Sequence, residues 1–312
     1  MEIFSNKIKL EDKDMFNEYL TSYNYCTSGL SFSSLYMWRD INEMRWDIFE
    51  DYLCISATGY LEMDDDIIMP FMQMPLTKTG KYETESLRKA ILAAKEKTEE
   101  EGYPFTMRLV PAGLVPELEK AFPGELEVIE DRDNYDYLYE KENLIELKGR
   151  TLHKKKNHMN YFLKNYQYEY KEMTADMADD IMEFIYAFNA RKETTPYERE
   201  LLIMEQEAMR DVFENIDRAG YIGGVIYIDG KIEAISVGGQ ICPETVCVHI
   251  EKANTKYRGL YQIINREYCL HMPEHIKYMN REEDMGLPGL RKSKMSYKPL
   301  RMVEKYIVNF KE

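Results

Sequence analysis

The chain has 312 residues, more than one ordinary hydrophobic core accommodates, so two domains of about 150 residues each are expected. A composition of 44% apolar, 12% aromatic and 31% charged residues supplies two cores and excludes a disordered chain. The formal charge of −15 favours solubility and argues against wholesale nucleic-acid binding, which needs a basic surface.

The first residues, MEIFSNKIKLEDKDMF, mix charge with apolar positions and show no signal-peptide pattern, and no stretch reaches membrane-spanning length. A cytoplasmic location without integral membrane association is the expectation. Met15, Phe16, Tyr19 and Leu20 recur at helical spacing over residues 10–20. Apolar runs at 47–57 and 67–72, beside turn-prone sequence, predict two or three antiparallel strands. Leu87, Ala90, Ile91 and Ala94 mark one face of a long helix over 83–101, ended by Gly102 and Pro104. A buried strand over 105–110, a short helix over 114–121 and strands near 126–129 and 135–140 complete the first half. The domain boundary is expected near 144–148, dividing the chain into 1–146 and 147–312.

The second half opens with a helix over 150–165 and a strand over 168–171. Met177, Ile181, Phe184, Ile185 and Phe188 predict a helix behind a Thr174 cap, and Pro196 separates it from another over 198–218. The period then changes from helix to strand. Residues 221–228 and 231–241 flank Asp229-Gly230, a hairpin signal because both residues tolerate positive φ. A third strand over 245–252, a helix over 259–270, a strand at 276–279, a short helix near 287–294 and a last strand over 302–310 follow. The order of elements thus occurs twice, which suggests duplication. In the third strand, strict alternation puts Val246, Val248 and Ile250 on one face and Cys247, His249 and Glu251 on the other.

Two helices, a three-strand meander, a helix entered through a glycine loop, then strand, helix and strand is similar to the GNAT N-acyltransferase fold. The segments LKGRTLHKKKNHMNYF (147–162), IEKANTKYRGLYQIIN (250–265) and NREEDMGLPGLRKSKMSYKPLRMVEKY (280–306) resemble the bacterial phosphatidylglycerol lysyltransferase C-terminal domain family. The resemblance implies two tandem GNAT-like α/β domains, each a mixed, mainly antiparallel sheet flanked by helices. The architecture is also similar to the Fem aminoacyltransferases. It implies an acyl- or aminoacyl-transferase whose donor carries phosphate, acyl-CoA or aminoacyl-tRNA, with an amine or hydroxyl acceptor. The alternative is a binding module that keeps the fold and has lost the chemistry.

Chemically, His249 and Glu251 stand at the end of a strand where an attacking amine would lose its proton, and Glu282 and Asp284 offer further carboxylates. Either Glu251 is such a base or it is a charge on a mixed strand face. Lys256, Arg258 and Gly259 occupy the position of a phosphate-binding turn at a helix N-terminus, although Tyr261 puts bulk where a backbone should approach phosphate. The run 147–166 holds six basic residues and no acidic one, among them Arg150, Lys154 and Lys155. The run 286–301 holds five, among them Arg291, Lys292 and Lys294. If the two runs meet, they form a groove for donor phosphates, including those of tRNA, or for peripheral contact with anionic lipid; alone, each is a solvated face. Asn280, Arg281 and Tyr297 are assigned to the acceptor or aminoacyl group. No metal is expected, since the five cysteines contain no C-x-x-C pair.

Overall fold

In the computed structural model, residues 3–58, 69–190 and 196–311 are described. The chain divides into two compact units, one built from residues 1–135 and 303–312 and the other from 136–302. Residues 67 and 68 of the expected strand at 67–72 lie outside the described residues.

In the first unit the order is β1 (Asn6–Lys7), α1 (Lys13–Leu20), α2 (Phe32–Trp38), β2 (Arg45–Phe49), β3 (Tyr52–Thr58), β4 (Pro70–Met72), α3 (Thr84–Glu100), β5 (Thr106–Pro111), α4 (Val115–Ala121) and β6 (Leu126–Glu130). The second unit contains β7 (Asp136–Glu140), α5 (Lys141–Glu146), α6 (His153–Asn165), β8 (Glu169–Glu172), α7 (Ala178–Asn189), α8 (Pro196–Glu214) and α9 (Ile216–Ala219). It continues with β9 (Tyr221–Ile228), β10 (Lys231–Cys242), β11 (Thr245–Ala253), α10 (Leu260–Leu270), β12 (Tyr278–Asn280), α11 (Pro288–Met295) and β13 (Arg301–Val303). The last strand, β14 (Lys305–Phe310), returns to the first sheet.

The two sheets run β1-β2-β3-β4-β5-β14-β6 and β13-β7-β12-β11-β10-β9-β8. The expected strand at 302–310 is therefore two strands in two sheets, broken at Glu304. The expected strand at 135–140 belongs with the second unit, where Tyr139 pairs with Met279, and not with the first half that precedes it. Periodicity identifies a strand but not its partner, which is why the compact units divide at Asp136 instead of near residue 146. Thr174 precedes a short 3-10 turn and makes no side-chain cap bond, so α7 starts only at Ala178.

The hairpin β9–β10 turns at Asp229 and Gly230, with φ of 50° and 77°, as a two-residue primed turn requires. Strand β11 pairs antiparallel with β10 along its length but parallel with β12 for three rungs only, ending at Cys247↔Asn280. Beyond that rung β11 runs on to Ala253 while β12 stops, so the two strands part. Helix α10 covers one face of this sheet, where Leu260, Ile263, Ile264 and Tyr268 pack with Val246, Val248, Ile226 and Phe162.

At the point of parting β11 carries a bulge: Ile250 is opposite Val237 and Val248 is opposite Gly238, leaving His249 as an extra residue. The bulge reverses the alternation. Val246 and Val248 face α10, and after His249 that face is taken by Glu251, which reaches Asn265 of α10, and by Ala253. Lys252 lies on the opposite face, bonded to Glu205 of α8 and lying over the Phe188 ring. Glu251 is thus separated from Cys247 and His249, against the common face that strict alternation predicts. The displaced backbone leaves no room for a side chain at Gly238, where a Cβ would lie 1.7 Å from the Cys247 carbonyl oxygen and 3.1 Å from the Tyr268 hydroxyl.

Among the described residues, no helix is long and apolar enough to cross a membrane. Substituting Gly238→Ala is expected to destabilise the protein by at least about 3 kcal/mol, because the clash is with backbone and not with a side chain that can rotate. Chemical denaturation checks this; a change under about 0.5 kcal/mol would mean the bulge is not built as described.

Candidate functional site

Where β11 and β12 part, the gap is spanned by two side-chain pairs, one on each face of the sheet. On the α10 face, Arg281 follows directly after β12 and donates from Nη2 to Glu251 Oε1 at 2.8 Å. The other Glu251 oxygen accepts from Asn265 Nδ2 at 3.1 Å. Arg281 lies 5.0 Å from the Tyr297 ring centre and 5.9 Å from that of Tyr139. The Tyr297 hydroxyl is bonded to Gln262 Nε2 at 3.0 Å, and Lys155 of α6 sits 4.2 Å above the same ring. Burial, and then the neighbouring Arg281, lowers the Lys155 ammonium from its ordinary range, with Glu251 opposing.

Two polar atoms of this cluster are buried without a hydrogen-bond partner among the described residues: Arg281 Nη1, a donor, and Asn265 Oδ1, an acceptor. Buried polar atoms normally have partners, and here one donor and one acceptor flank a single carboxylate. The arrangement can take a group that offers an acceptor to the guanidinium and a donor to the amide.

On the other face His249 Nδ1 is 2.8 Å from Glu282 Oε1, and Cys247 Sγ is 3.8 Å from the same oxygen. The His249 ring stands edge-on to Tyr221 at 6.3 Å. Glu282 reaches this position with φ of 54°, a left-handed conformation that a glutamate adopts only when its surroundings impose it.

Those surroundings are the end of β12 and the residues after it. Asn280, fully buried, accepts from the Glu282 backbone N–H at 2.8 Å and donates to Asp136 at 3.0 Å. Lys294 donates to the carbonyl oxygens of Arg281 and Glu283. Asp284 is fully buried and accepts from the Tyr137 hydroxyl, from Arg291 Nε at 2.9 Å and Nη2 at 2.7 Å, and from the Gly286 N–H at 3.0 Å. Burial alone would raise its carboxyl, but the Arg291, Tyr137 and Gly286 donors more than offset this and hold it at about 2, below the ordinary 3.8. Asp284, expected as a proton acceptor, is instead a structural anchor, because so acidic a group is a weak base at neutral pH. Arg291 and Lys294, expected to hold donor phosphate, are engaged in the same support, and burial lowers the Lys294 ammonium.

The glycine turn is occupied differently from the expectation. Gly259, at φ 97°, is buried against α6: a Cβ there would lie 2.1 Å from the His158 carbonyl oxygen. Its glycine is needed for close packing of two helices. Arg258 stacks over the Tyr161 ring at 4.7 Å, and Lys256 is exposed with its backbone N–H bonded to Asn254. Arg150, Lys154 and Lys292 are also exposed. The two segments touch where Lys155 lies over the Tyr297 ring, while Arg291 and Lys294 of the second are engaged by Asp284 and by backbone carbonyls. Sequence reasoning did not find Gln262 and Asn265; Asn265 is a polar position among Ile263, Ile264 and Tyr268 on the buried stripe of α10, and that mismatch is the available signal, while Gln262 is half-buried beside it.

A three-strand antiparallel meander, a bulged third strand, a helix and a parallel strand that splays from the meander define a GNAT-type acyltransferase fold. The chain belongs to the phosphatidylglycerol lysyltransferase C-terminal family, whose model matches residues 21–309. A conserved protein of unknown function from Bacteroides thetaiotaomicron is similar at 31% identity and a TM-score of 0.83, over 98% of this chain and 99% of that one. The structure of L-PGS from Bacillus licheniformis shares the fold at 11% identity and a TM-score of 0.64, over 100% and 95% of the two chains. An uncharacterized protein of Mycoplasmoides gallisepticum is 27% identical over 195 residues, which is 59% of this chain and 58% of that relative's length.

Because Asp284 is more acidic in the folded chain than in the unfolded one, it contributes stability above about pH 4 that is lost as pH falls toward 2. The contribution is about 2 kcal/mol. Denaturation of the wild type and of Asp284→Asn should therefore differ most near pH 7, with the gap closing between about pH 4 and 2; a gap independent of pH would contradict the assignment.

Proposed function

We propose that the chain is an aminoacyltransferase that moves an aminoacyl group from tRNA to an amine or hydroxyl acceptor, with the reaction centred on Arg281, Glu251, Asn265, Lys155 and Tyr297. Membership of the phosphatidylglycerol lysyltransferase C-terminal family supports transfer of an aminoacyl group. The observation that carries the reading is the pair of unpartnered buried atoms, Arg281 Nη1 and Asn265 Oδ1, at the parting of β11 and β12.

The acceptor attacks the ester carbonyl carbon of the aminoacyl-tRNA, the bond to the terminal ribose oxygen breaks, and that oxygen leaves with a proton. Arg281 Nη1 donates to the carbonyl oxygen as negative charge develops on it. Glu251 and Asn265 are positioning residues: the carboxylate holds the guanidinium through Nη2 and the amide fixes the carboxylate. Lys155, whose ammonium is lowered by burial, takes the acceptor's proton and passes it to the departing ribose oxygen. The reading of Glu251 as the base, drawn from its place at the end of the strand, gives way here, because both of its oxygens accept from other side chains. Gly259 packed on α6 and Tyr261 beside it favour tRNA over coenzyme A, while exposed Arg150, Lys154, Arg258 and Lys292 supply countercharge for phosphates in an acidic chain.

The test is transfer of a radiolabelled aminoacyl group from total aminoacyl-tRNA to added acceptors, with phosphatidylglycerol vesicles and soluble amines in separate reactions. Arg281→Lys is expected to lower the transfer rate about 10²- to 10³-fold while leaving the far-UV spectrum unchanged. Turnover of acetyl-CoA with indifference to aminoacyl-tRNA would overturn the donor assignment. The rate should also rise with pH as the Lys155 ammonium deprotonates, at a lower pH than an ordinary lysine requires. Lys155→Arg, charged throughout, should lose both the activity and the pH limb; an unchanged profile would remove Lys155 from the reaction.

A further inference from the structure

Cys247 and His249 stand two residues apart on β11, and Glu282 is delivered to them across the gap from β12. One ligand atom from each, sulfur, nitrogen and oxygen, lies within 4.8 Å of the other two. Ligands of a tetrahedral zinc ion, at 2.0–2.3 Å from the metal, stand about 3.3–3.6 Å apart. The 3.8 Å between Cys247 Sγ and Glu282 Oε1 is close to that spacing. The 2.8 Å between His249 Nδ1 and the same oxygen has to open by about half an ångström.

We propose that Cys247, His249 and Glu282 form a binding site for a divalent cation of the zinc class, with the fourth coordination position left to water. One thiolate, one imidazole and one carboxylate suit zinc or cobalt(II) and disfavour magnesium and calcium, which take oxygen ligands. Binding releases the Cys247 thiol proton to solvent, and His249 ligates through Nδ1 with its own proton on Nε2.

The three ligands are not a chance surface cluster. Cys247 and the His249 side chain are buried, and Glu282 is largely so. Alternation sets His249 beside Cys247 on the face away from α10, and the bulge removes Glu251 from that face. Asn280 and Lys294 hold the backbone on both sides of Glu282 in its left-handed conformation, and Asp136 in turn holds Asn280. This is the outer support that orients metal ligands. Lys294 near Glu282 and Glu283 opposes the carboxylate charge, so a cation in the site would be drawn by the thiolate and the carboxylate against that lysine. The metal would tie β11 to the segment after β12, on the face of the sheet opposite Arg281 and Glu251, and so is independent of the transfer reading.

The experiment titrates the full-length chain, stripped of metal with a chelator, with cobalt(II). One equivalent should bind with a near-ultraviolet thiolate-to-cobalt band and visible bands of tetrahedral cobalt, zinc should displace it, and about one proton should be released per ion. Cys247→Ser should remove the near-ultraviolet band. Glu282→Gln, which preserves shape, should weaken binding, and Asn280→Ala should weaken it about 10- to 100-fold with cooperative unfolding retained. Absence of the band in folded wild-type protein at millimolar cobalt would overturn the site. A band that persists in Cys247→Ser would assign it to Cys54 or Cys269 and overturn it equally.

Discussion

Position 238 has no side chain, and the second unit's chemistry depends on that vacancy. The Cys247 carbonyl lies where a β-carbon at 238 would be, so β10 accepts the extra residue His249 in its neighbour only because Gly238 yields the space. The extra residue reverses the alternation of β11, which separates Glu251 from His249 by the thickness of the sheet. A single backbone accommodation thus produces two chemically distinct clusters from three consecutive odd-numbered positions. It also coincides with the last rung between β11 and β12, so the strand is irregular at the point where it loses a partner.

Electrostatics then fixes the other lip of the gap. Residues 280–286 contain Arg281, Glu282, Glu283 and Asp284 in a row, and a loop of that composition left in water would sample many conformations. Here the backbone is held by Asn280 through Asp136, by Lys294 on two carbonyls, and by Asp284 in a bidentate pair with Arg291. Arg281 and Glu282, neighbours in sequence, are consequently sent to opposite faces, each to the partner that β11 presents. Breaking the Asp284 pair would leave a carboxylate buried without compensation, which is far more costly than the pair is stabilising.

Much of the architecture is written in local pattern. Asp229-Gly230, the period of residues 87–94 and the punctuation by Gly102 and Pro104 predict elements that the structure contains at nearly those bounds. What local pattern does not carry is partnership. Residues 135–140 and 302–310 read as strands, yet nothing in them says that the first pairs with β12 or that the second divides, its larger part slotting between β5 and β6. The bulge is hidden for a related reason: Val-Cys-Val-His-Ile-Glu alternates without interruption, and the interruption lies in the register with β10. For the site, charged residues at strand ends were visible as such, and Glu251, Arg281, His249 and Glu282 do converge at the gap. Their pairing depends on face and conformation. Asp284, Arg291 and Lys294 have the residue types of a reactive or phosphate-binding group and serve as supports, a distinction that burial and donor geometry decide.

The excursion of the final strand has a consequence for biosynthesis. The strand between β5 and β6 is made from residues 305–310, almost 200 residues after β5 is synthesised, whereas residues 136–302 supply the strands of their own sheet nearly in full. A ribosome therefore finishes the material for the second unit before it delivers the strand that closes the first. Strands β5 and β6 must stay apart, each with an unsatisfied edge, until residues 305–310 have been made. In this protein the order of synthesis and the order of completion run in opposite directions.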